Sequence, residues 1–315
     1  RGYNLFGAYN ANQVDWRNNG FFNALGVVKS GGESQLINQL MGVDSRKTAT
    51  ETGSQALRRI YSVDLSNNNF AFIAQDLSRR VVSGRGQAEA AGLGPYFFLP
   101  YPQFANGMNV IDSNDFSTYH AGQVQFLKRM SGGLEFQFSY TLAKSLDTRS
   151  YDPAFTVVSG ANNQSAGGTP FDIFNRRLNY ALSDFDRKHV VQNYFIWELP
   201  FGRGRRFASN ASGLTQRLVG GWQVAGMGTF QGGRPMSVYS GFYTFNNVVQ
   251  SFANCSGCTS TMGKAQDIDG LVWFFTADQR ARFSNPAPGE LGNTGRNFFR
   301  GPGGWGVDMS VLKRT

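Results

Sequence analysis

The sequence predicts an all-β fold, an open antiparallel sheet of about six strands from a large transmembrane β-barrel, whose long extracellular loops carry short helices. One stretch of alternating side chains, at 133–146, is longer than an ordinary strand. The composition is rich in aromatic residues and poor in charged ones. Short and long connections alternate between the predicted strands, as they do in outer-membrane barrels.

The stretch at 133–146 places apolar and polar side chains on opposite faces of one predicted strand. It alternates over about a dozen residues, whereas a soluble strand has about five or six and a membrane-spanning strand needs about 9–11. We therefore expect one face to contact lipid, with Lys144 near the outer interface, and the other to line the barrel lumen. The predicted lipid-facing residues are Leu134, Phe136, Phe138, Tyr140 and Leu142, and the predicted lumen-facing residues are Glu135, Gln137, Ser139 and Thr141.

The composition favours the membrane barrel over a soluble sheet. Aromatic residues make up 14% of the chain and charged residues 16%. Charged residues are about a quarter of a typical soluble domain, and the aromatic girdles and lipid-facing side chains of outer-membrane barrels shift both values in the observed direction. The sequence contains no run of about 18 apolar residues, which excludes a helical membrane span.

The formal net charge of the chain is +9, which can indicate binding to nucleic acid or anionic lipid. Because Arg203, Arg205 and Arg206 lie in a predicted turn, we interpret the excess as solvated loop charge and expect no nucleic-acid partner. A soluble β protein that binds nucleic acid or sugar is an alternative that charge and aromatic content alone suggest. The chain begins without Met or an apolar leader, so we expect a fragment whose export signal lies upstream.

Residues 1–10 are predicted to be the outward end of a barrel strand, and residues 11–117 a long extracellular loop region with short helices. In the loop region the two-residue period disappears and apolar residues recur at helical spacing. The predicted helical stretches contain Phe21, Phe22, Leu25 and Val28; Leu36, Ile37, Leu40 and Met41; residues 55–61; and Phe70, Ile73, Ala74 and Leu77. The prolines of 95–104 predict an extended loop, because proline disfavours helix interiors and central strands.

Residues 118–315 are predicted to hold the barrel strands, with extracellular loops at 147–183 and 241–304. Alternation indicates strands near 119–130 and 133–146 and a last strand around Val307, Met309 and Val311. Strands are also predicted near 186–199, where the assignment of faces is ambiguous, and near 221–240, where the sequence has extended character. Ser131, Gly132 and Gly133 predict a tight hairpin turn. If this turn lies in the periplasm, the long loops all lie outside the cell.

The sequence contains no complete motif for catalysis or metal binding, so we expect no enzyme, no catalytic residue, no metal and no cofactor. Residues 257–264 imitate a phosphate-binding loop but lack the Ser or Thr that would hold the metal. The only histidines, His120 and His189, both lie in strand patterns. Cys255 and Cys258 are candidates for a local disulfide on the exterior. The alternatives for this pair are a redox site and half of a zinc site, for which a second Cys pair is missing.

Short motifs spread over most of the chain match one family in the family's order. They are LPYPQF at 99–104, YHA at 119–121 followed by KR at 128–129, SYTLAKS at 139–145, WELPFG at 197–202, GGWQ at 220–223, GNTGRN at 292–297 and RGPG at 300–303. With these motifs the chain resembles the TonB-dependent outer-membrane receptors of the Oar-like type. The plug domain, the TonB box and the closing strand of that family are not in this sequence, so energy coupling is inferred from the relatives.

The resemblance implies a barrel of about 22 strands in the envelope of a Gram-negative cell, plugged by an N-terminal domain. The implied partners are outer-membrane lipid, the plug domain, the TonB complex and an unknown bulky solute that the barrel transports. The alternative is a non-transport barrel that serves as an adhesin or a surface interaction platform, which the size of the loops suggests. We expect ligand specificity to lie in the loops, where Tyr96, Phe97, Phe98, Trp273 and Phe274 are the candidate ligand-binding residues.

Overall fold

One curled antiparallel sheet of six long strands organises the molecule. The computed structural model describes residues 2–104, 107–150 and 169–314. The strands are β1 Gly2–Asn10, β2 Asn109–Ser131, β3 Leu134–Asp147, β4 His189–Glu198, β5 Trp222–Gln231 and β6 Gly304–Lys313. Each strand pairs with its neighbours in the sequence, so β1 and β6 form the two edges. The predicted all-β barrel fragment is confirmed, and the sheet is a half-barrel.

The register of the sheet separates an apolar face from a polar face. One row of paired residues that crosses β2 to β6 contains Val124, Tyr140, Val191, Phe230 and Trp305. The adjacent row, whose side chains point to the other face, contains Gln125, Ser139, Gln192, Thr229 and Gly306. Because successive residues of a strand alternate between faces, these two rows lie on opposite sides of the sheet across all five strands.

Strand β2 begins earlier than the sequence predicts. Its first half pairs with β1, where Asn10 lies opposite Asn109 and Tyr9 opposite Val110. Residues 109–118 are mostly polar and lack the alternation that marks a strand. The backbone of β1 completes their hydrogen bonds, which is a tertiary cause that the local pattern does not contain.

Eight helices are present in the described part of the chain. They are α1 Phe21–Lys29, α2 Gln35–Gly42, α3 Gly53–Ile60, α4 Ser62–Ser66, α5 Phe70–Arg79, α6 Gln87–Ala90, α7 Gly213–Val219 and α8 Ala277–Arg280. Helices α1, α2, α3 and α5 lie where helical spacing predicts them. Thr52 and Gln55 form a capping box that starts α3. None of the described helices has the length and hydrophobicity needed to cross a membrane.

Short strand pairs stabilise the loops. Val81–Val82 pairs with Arg85–Gly86, Pro235–Met236 with Phe299–Arg300, Asn254–Cys255 with Phe283–Ser284, Gln266–Ile268 with Leu271–Trp273, and Ala181–Leu182 with the end of β3. A 3-10 turn at Pro102–Phe104 ends the predicted extended segment, and a second lies at Arg176–Asn179. The predicted loop at 147–183 includes residues 151–168, which lie outside the described residues.

The buried apolar core belongs to the loops. Its largest fully buried side chains between β1 and β2 are Trp16, Phe21, Leu25, Ile37, Leu40, Met41, Leu57, Phe70 and Ile73. A smaller core contains Phe171, Phe245, Val248, Val249 and Phe252. On the apolar face of the sheet, in contrast, Val124, Phe230 and Trp305 are 60–71% exposed. That face is a broad apolar surface of the kind that lipid covers.

Candidate functional site

The long loops all leave the same end of the sheet. Antiparallel pairing places the end of β1 beside the start of β2, the end of β3 beside the start of β4, and the end of β5 beside the start of β6. The connections 11–108, 148–188 and 232–303 therefore all begin and end at this end of the sheet, which we call the loop end. The turn at Gly132 and Gly133 and the connection 199–221 lie at the opposite end.

Buried arginines tie the loops to the ends of the strands, in an arrangement that we call the rim cluster. Its members are Asp112, Asp115, Asp147, Asp184 and Asp186 with Arg149, Arg176, Arg296 and Arg300. Arg149 Nε lies 3.0 Å from Asp115 Oδ2, and Arg176 Nη1 lies 3.4 Å from the same oxygen. Burial lowers the pKa of Arg149, while the Asp115 carboxylate opposes that shift. The cluster pairs four arginines with five aspartates and so adds no net positive charge, whereas Arg203, Arg205 and Arg206 are exposed in their connection.

Arg296 is the most extensively bonded member of the rim cluster. It donates to Asp147 Oδ1 at 2.6 Å, Ser150 Oγ at 2.5 Å and Asp184 Oδ1 at 3.2 Å. Its other terminal nitrogen donates to the backbone oxygens of Asp147 at 3.1 Å and Asn179 at 2.9 Å. The planar guanidinium group thus joins the end of β3 to two loops, which a single point charge would do less well.

The GNTGRN motif, which contains Arg296, is hydrogen-bonded to an earlier segment of the same connection. Asn293 Oδ1 accepts a hydrogen bond from Cys255 N at 2.7 Å, and Thr294 Oγ1 donates to Ala253 O at 2.8 Å. Gly292 has a φ of +84°, and a Cβ at this position would lie 2.1 Å from Phe252 O. The motif therefore requires glycine, two short polar side chains and arginine for structural reasons.

The connection 11–108, which holds helices α1 to α6 and which we call the helical loop, is hydrogen-bonded to the loop between β5 and β6. Asn69 Oδ1 accepts from Tyr243 N at 2.7 Å, and Asn247 Oδ1 accepts from Val14 N at 3.2 Å. The guanidinium carbon of Arg17 lies 4.2 Å from the centre of the Phe245 ring. These contacts join distant parts of the chain, so the loops form one folded assembly over the loop end.

The candidate ligand-binding aromatics differ in exposure. Tyr96 is 69% exposed, whereas Phe98 is 3% exposed and packs edge-on against Phe21 with ring centres 5.1 Å apart. Phe97 is half-buried and packs against the same core. Trp273 and Phe274 are half-buried in the other loop, where the Arg280 guanidinium covers Trp273. Tyr96 thus offers the most accessible ring of this set, and the Phe98 ring belongs to the core.

A recess of about 330 Å³ opens beside Phe98. Polar side chains at the end of α5 and in the 95–104 segment line it together with apolar ones. They include Ser78, Arg80, Gln103, Phe98 and Leu99. The sequence patterns did not reveal this recess, because its walls come from separate parts of the loop region. Hydrogen-bond donors beside an apolar wall are typical of a small-molecule or carbohydrate subsite.

A charged cluster supports the wall of this recess. Asp44 accepts hydrogen bonds from Arg46 Nη2 at 2.8 Å and from Gln87 Nε2 at 3.1 Å. Burial alone would raise the pKa of Asp44, but the hydrogen bonds and positive charge of Arg46 outweigh it and lower that pKa. Tyr61 hydrogen-bonds Asp76, and burial followed by this contact raises the pKa of the phenol. At neutral pH the Asp44 carboxylate is therefore ionised and the Tyr61 phenol is neutral.

The predicted lumen-facing residues share the polar face of β3. Tyr194 Oη donates to Glu135 Oε1 at 2.8 Å, and Gln123 Nε2 donates to Thr141 Oγ1 at 3.3 Å. Gln137 and Ser139 lie between Glu135 and Thr141 on the same face of the strand. The lumen orientation stays a prediction, which is supported by two residues farther along the same face. Ser145 and Asp147 are both buried beneath loop residues, so the loops fold over the polar face and leave the apolar face bare.

His189 and the two cysteines have local structural partners. His189 Nδ1 lies 2.9 Å from Tyr140 Oη, and the two rings stack. Cys255 and Cys258 form a disulfide, with Cα atoms 5.7 Å apart, next to the Asn293 clasp. Within residues 2–104, 107–150 and 169–314, no three His, Cys, Asp or Glu side chains converge as metal ligands would.

Comparison with known families connects this geometry to the outer membrane. The family model described as an outer membrane beta barrel domain matches residues 2–315. Searches of curated proteins and of solved structures found no match. The match covers the sheet, its loops and the rim cluster, and it places the protein in the outer membrane. By this match over nearly its whole length, the chain belongs to the outer membrane β-barrel domain family.

Proposed function

We propose that this chain is barrel and loop structure of a TonB-dependent transporter that moves a bulky solute across the outer membrane. The observation that carries the proposal is the folded loop assembly, which the rim cluster fixes to the polar face of the half-barrel. Loops held rigidly above a polar path can capture a solute and pass it inward. The motifs shared with the Oar-like receptors support energy coupling by TonB.

The recess beside Phe98 is the proposed site of solute recognition. Arg80, Ser78 and Gln103 would hydrogen-bond polar groups, while Phe98 and Leu99 form the edge of an apolar wall. Tyr96, at the start of the same segment, offers an exposed ring for stacking. This chemistry suits an oligosaccharide, a peptide or a ferric siderophore, each of which combines polar groups with apolar surface.

The test of energy coupling is uptake by cells that carry the full-length protein. A labelled oligosaccharide, a labelled peptide and a ferric siderophore serve as probes in cells with and without TonB. We expect uptake of one probe to depend on both the protein and TonB. Uptake that depends on the protein but persists without TonB would contradict the energised mechanism. It would indicate that the protein is a passive pore.

The recess is tested by filling it. Gln103→Trp places a large side chain at its exposed edge, and Thr259→Trp places the same side chain on an exposed position of the other loop. We expect Gln103→Trp to weaken binding of the transported probe and Thr259→Trp to leave it unchanged. Equal binding by the two variants would remove the recess from the recognition site.

A role as an adhesin is the second candidate function. Large apolar side chains are exposed on the loops, with Phe174 at 92%, Tyr96 at 69% and Val63 at 67%. Such residues can contact another macromolecule. Under this alternative, Phe174→Ser and Val63→Ser would reduce attachment of cells to host or neighbouring cells without changing uptake of any probe. Attachment that does not depend on the protein would contradict it.

A further inference from the structure

The connection 199–221, at the end of the sheet opposite the loops, is held firmly to the strand ends. Gln216 Oε1 accepts from Arg203 N at 2.6 Å, which closes the connection on itself. Trp222 Nε1 donates to Leu218 O at 2.8 Å, and Lys313 Nζ donates to Gly220 O at 2.6 Å. These bonds fix α7 to the ends of β5 and β6, so the positions of its side chains are set by the fold.

This ordered connection nevertheless leaves large apolar side chains in contact with solvent. Leu214 and Leu218 are 75% and 69% exposed, and they lie four residues apart on one face of α7. Phe207 and Phe201 are 48% and 42% exposed, with ring centres 5.5 Å apart. We call these four side chains the apolar patch of the connection. Large apolar side chains that the protein itself does not cover mark a surface for another phase or molecule.

The charge of the connection is of one sign. Arg203, Arg205, Arg206 and Arg217 are all exposed, and the segment 199–221 contains no Asp or Glu. Glu198, just before it, is paired with Arg205 at 2.8 Å. The remaining arginines lie in the same connection as the apolar patch, and the Arg206 guanidinium lies 5.6 Å from the Phe207 ring centre. The surface is therefore complementary to an anionic one.

The connection also continues the apolar face of the sheet. Trp197, Val224 and Val311 form one row of that face close to the connection. Trp222 lies one row nearer the end, with Lys313 Nζ 4.8 Å from its ring centre. Tryptophan and basic residues next to an apolar band mark the level of the lipid headgroups in membrane proteins. The apolar patch of the connection therefore begins where the lipid-contacting face ends.

We propose that the connection 199–221 is a membrane-anchoring surface that lies in the headgroup layer of anionic phospholipid. Leu214, Leu218 and the two phenylalanines enter the boundary with the acyl chains, while the arginines bind lipid phosphates, as in interfacial amphipathic helices. The anchor would hold this end of the barrel at a fixed depth. It rests on the membrane location of the family and is independent of the proposed transport function.

The experiment measures whether α7 contacts lipid or water when the full-length protein is held in lipid nanodiscs. Leu214→Cys and Leu218→Cys are labelled with an environment-sensitive fluorophore, and Ser66→Cys, exposed at the loop end, is the matched control. The cysteines of this chain are paired in a disulfide, so within it only the introduced thiol is free for labelling. Heat-modifiable migration on gels verifies that each variant is folded.

We expect the labels at 214 and 218 to show a blue shift and loss of iodide quenching in nanodiscs with phosphatidylglycerol, and a smaller effect in phosphatidylcholine alone. The label at 66 should remain quenched in both. Replacing Arg203, Arg206 and Arg217 by Gln should abolish the difference between the two lipids, while Arg205 is kept because it pairs with Glu198.

Three results would overturn the proposal. Quenching at 214 and 218 equal to that at 66 in both lipids would show that the surface stays in water. Equal shielding in the two lipids would show that the arginines recognise no anionic headgroup. Shielding in isolated outer membranes that is absent from every nanodisc would identify a protein or cell-wall partner as the occupant.

Discussion

Arg296 shows how much a single buried side chain contributes to the loop assembly. We expect Arg296→Ala to destabilise the loop between β5 and β6 by about 3–5 kcal/mol, because it leaves the buried Asp147 carboxylate without its partner. Hydrogen exchange of that loop in the folded protein measures the change. Strand β3 should keep most of its protection.

The control for this substitution is Arg205→Ala. Arg205 forms an ion pair of similar length with Glu198, but its side chain is 48% exposed. An exposed pair contributes about 0–1 kcal/mol, so this variant should behave like the parent protein. Equal effects of the two substitutions would contradict the conclusion that Arg296 holds the loops to the end of β3.

Asp44 makes the stability of the helical loop depend on pH. Its folded-state pKa lies below the ordinary value of 3.8, so its contribution is complete above that value and is lost as the pH falls through the folded pKa. We therefore expect Asp44→Asn to weaken the helical loop at pH 7 and to matter progressively less below about pH 4.

Trp16 provides the measurement, because it is buried in the helical core. Urea unfolding is followed by its fluorescence in a variant whose other tryptophans are replaced by Phe, with and without Asp44→Asn. The midpoints of the two proteins should differ at pH 7 and converge at low pH. A difference that persists unchanged into the acid range would contradict the role of the charged carboxylate.

At the scale of single elements, β3 separates two environments. Phe138 and Gln137 are neighbours near the middle of the strand and point to opposite faces. We expect Phe138→Arg to reduce folding into the membrane by about 2–4 kcal/mol, the cost of a lipid-facing arginine near the midplane. Gln137→Arg should cost much less, because the lumen is polar.

The measurement is the folded fraction of each full-length variant in lipid vesicles as a function of urea. The two variants carry the same new side chain at adjacent positions, so each controls for the other. A greater loss with Gln137→Arg than with Phe138→Arg would reverse the predicted orientation of the sheet. That result would also contradict the lumen assignment of Glu135, Ser139 and Thr141.

At the scale of the whole molecule, the sheet of the described chain has two open edges. Strands β1 and β6 each pair on one side, and the apolar face between them is exposed. Open edges and a wide apolar surface favour association with other chains. We expect this chain, expressed by itself, to aggregate in detergent-free buffer and to remain dispersed in detergent, as measured by light scattering. A monodisperse, cooperatively folding species without detergent would contradict it.

The secondary structure followed from the sequence wherever one local period was strong. The alternation of 133–146 predicted β3, and helical spacing predicted the buried faces of α1, α2 and α5. These patterns succeed because a strand and a helix each bury one face with a fixed period. Helix α7 escaped prediction, because its leucines are exposed and no core imposes a period on the segment around it.

What the sequence by itself determined is the type of fold, since the apolar and polar rows of the sheet are visible as alternation in its clearest strands, above all β3. Only the tertiary structure decided the rim cluster and the recess. Asp147 and Arg296 are 149 residues apart in the chain, and each alone is an ordinary polar residue near a loop. Their pairing arises because curling of the sheet brings the loop bases together and excludes water from them, and local sequence patterns contain no information about that exclusion.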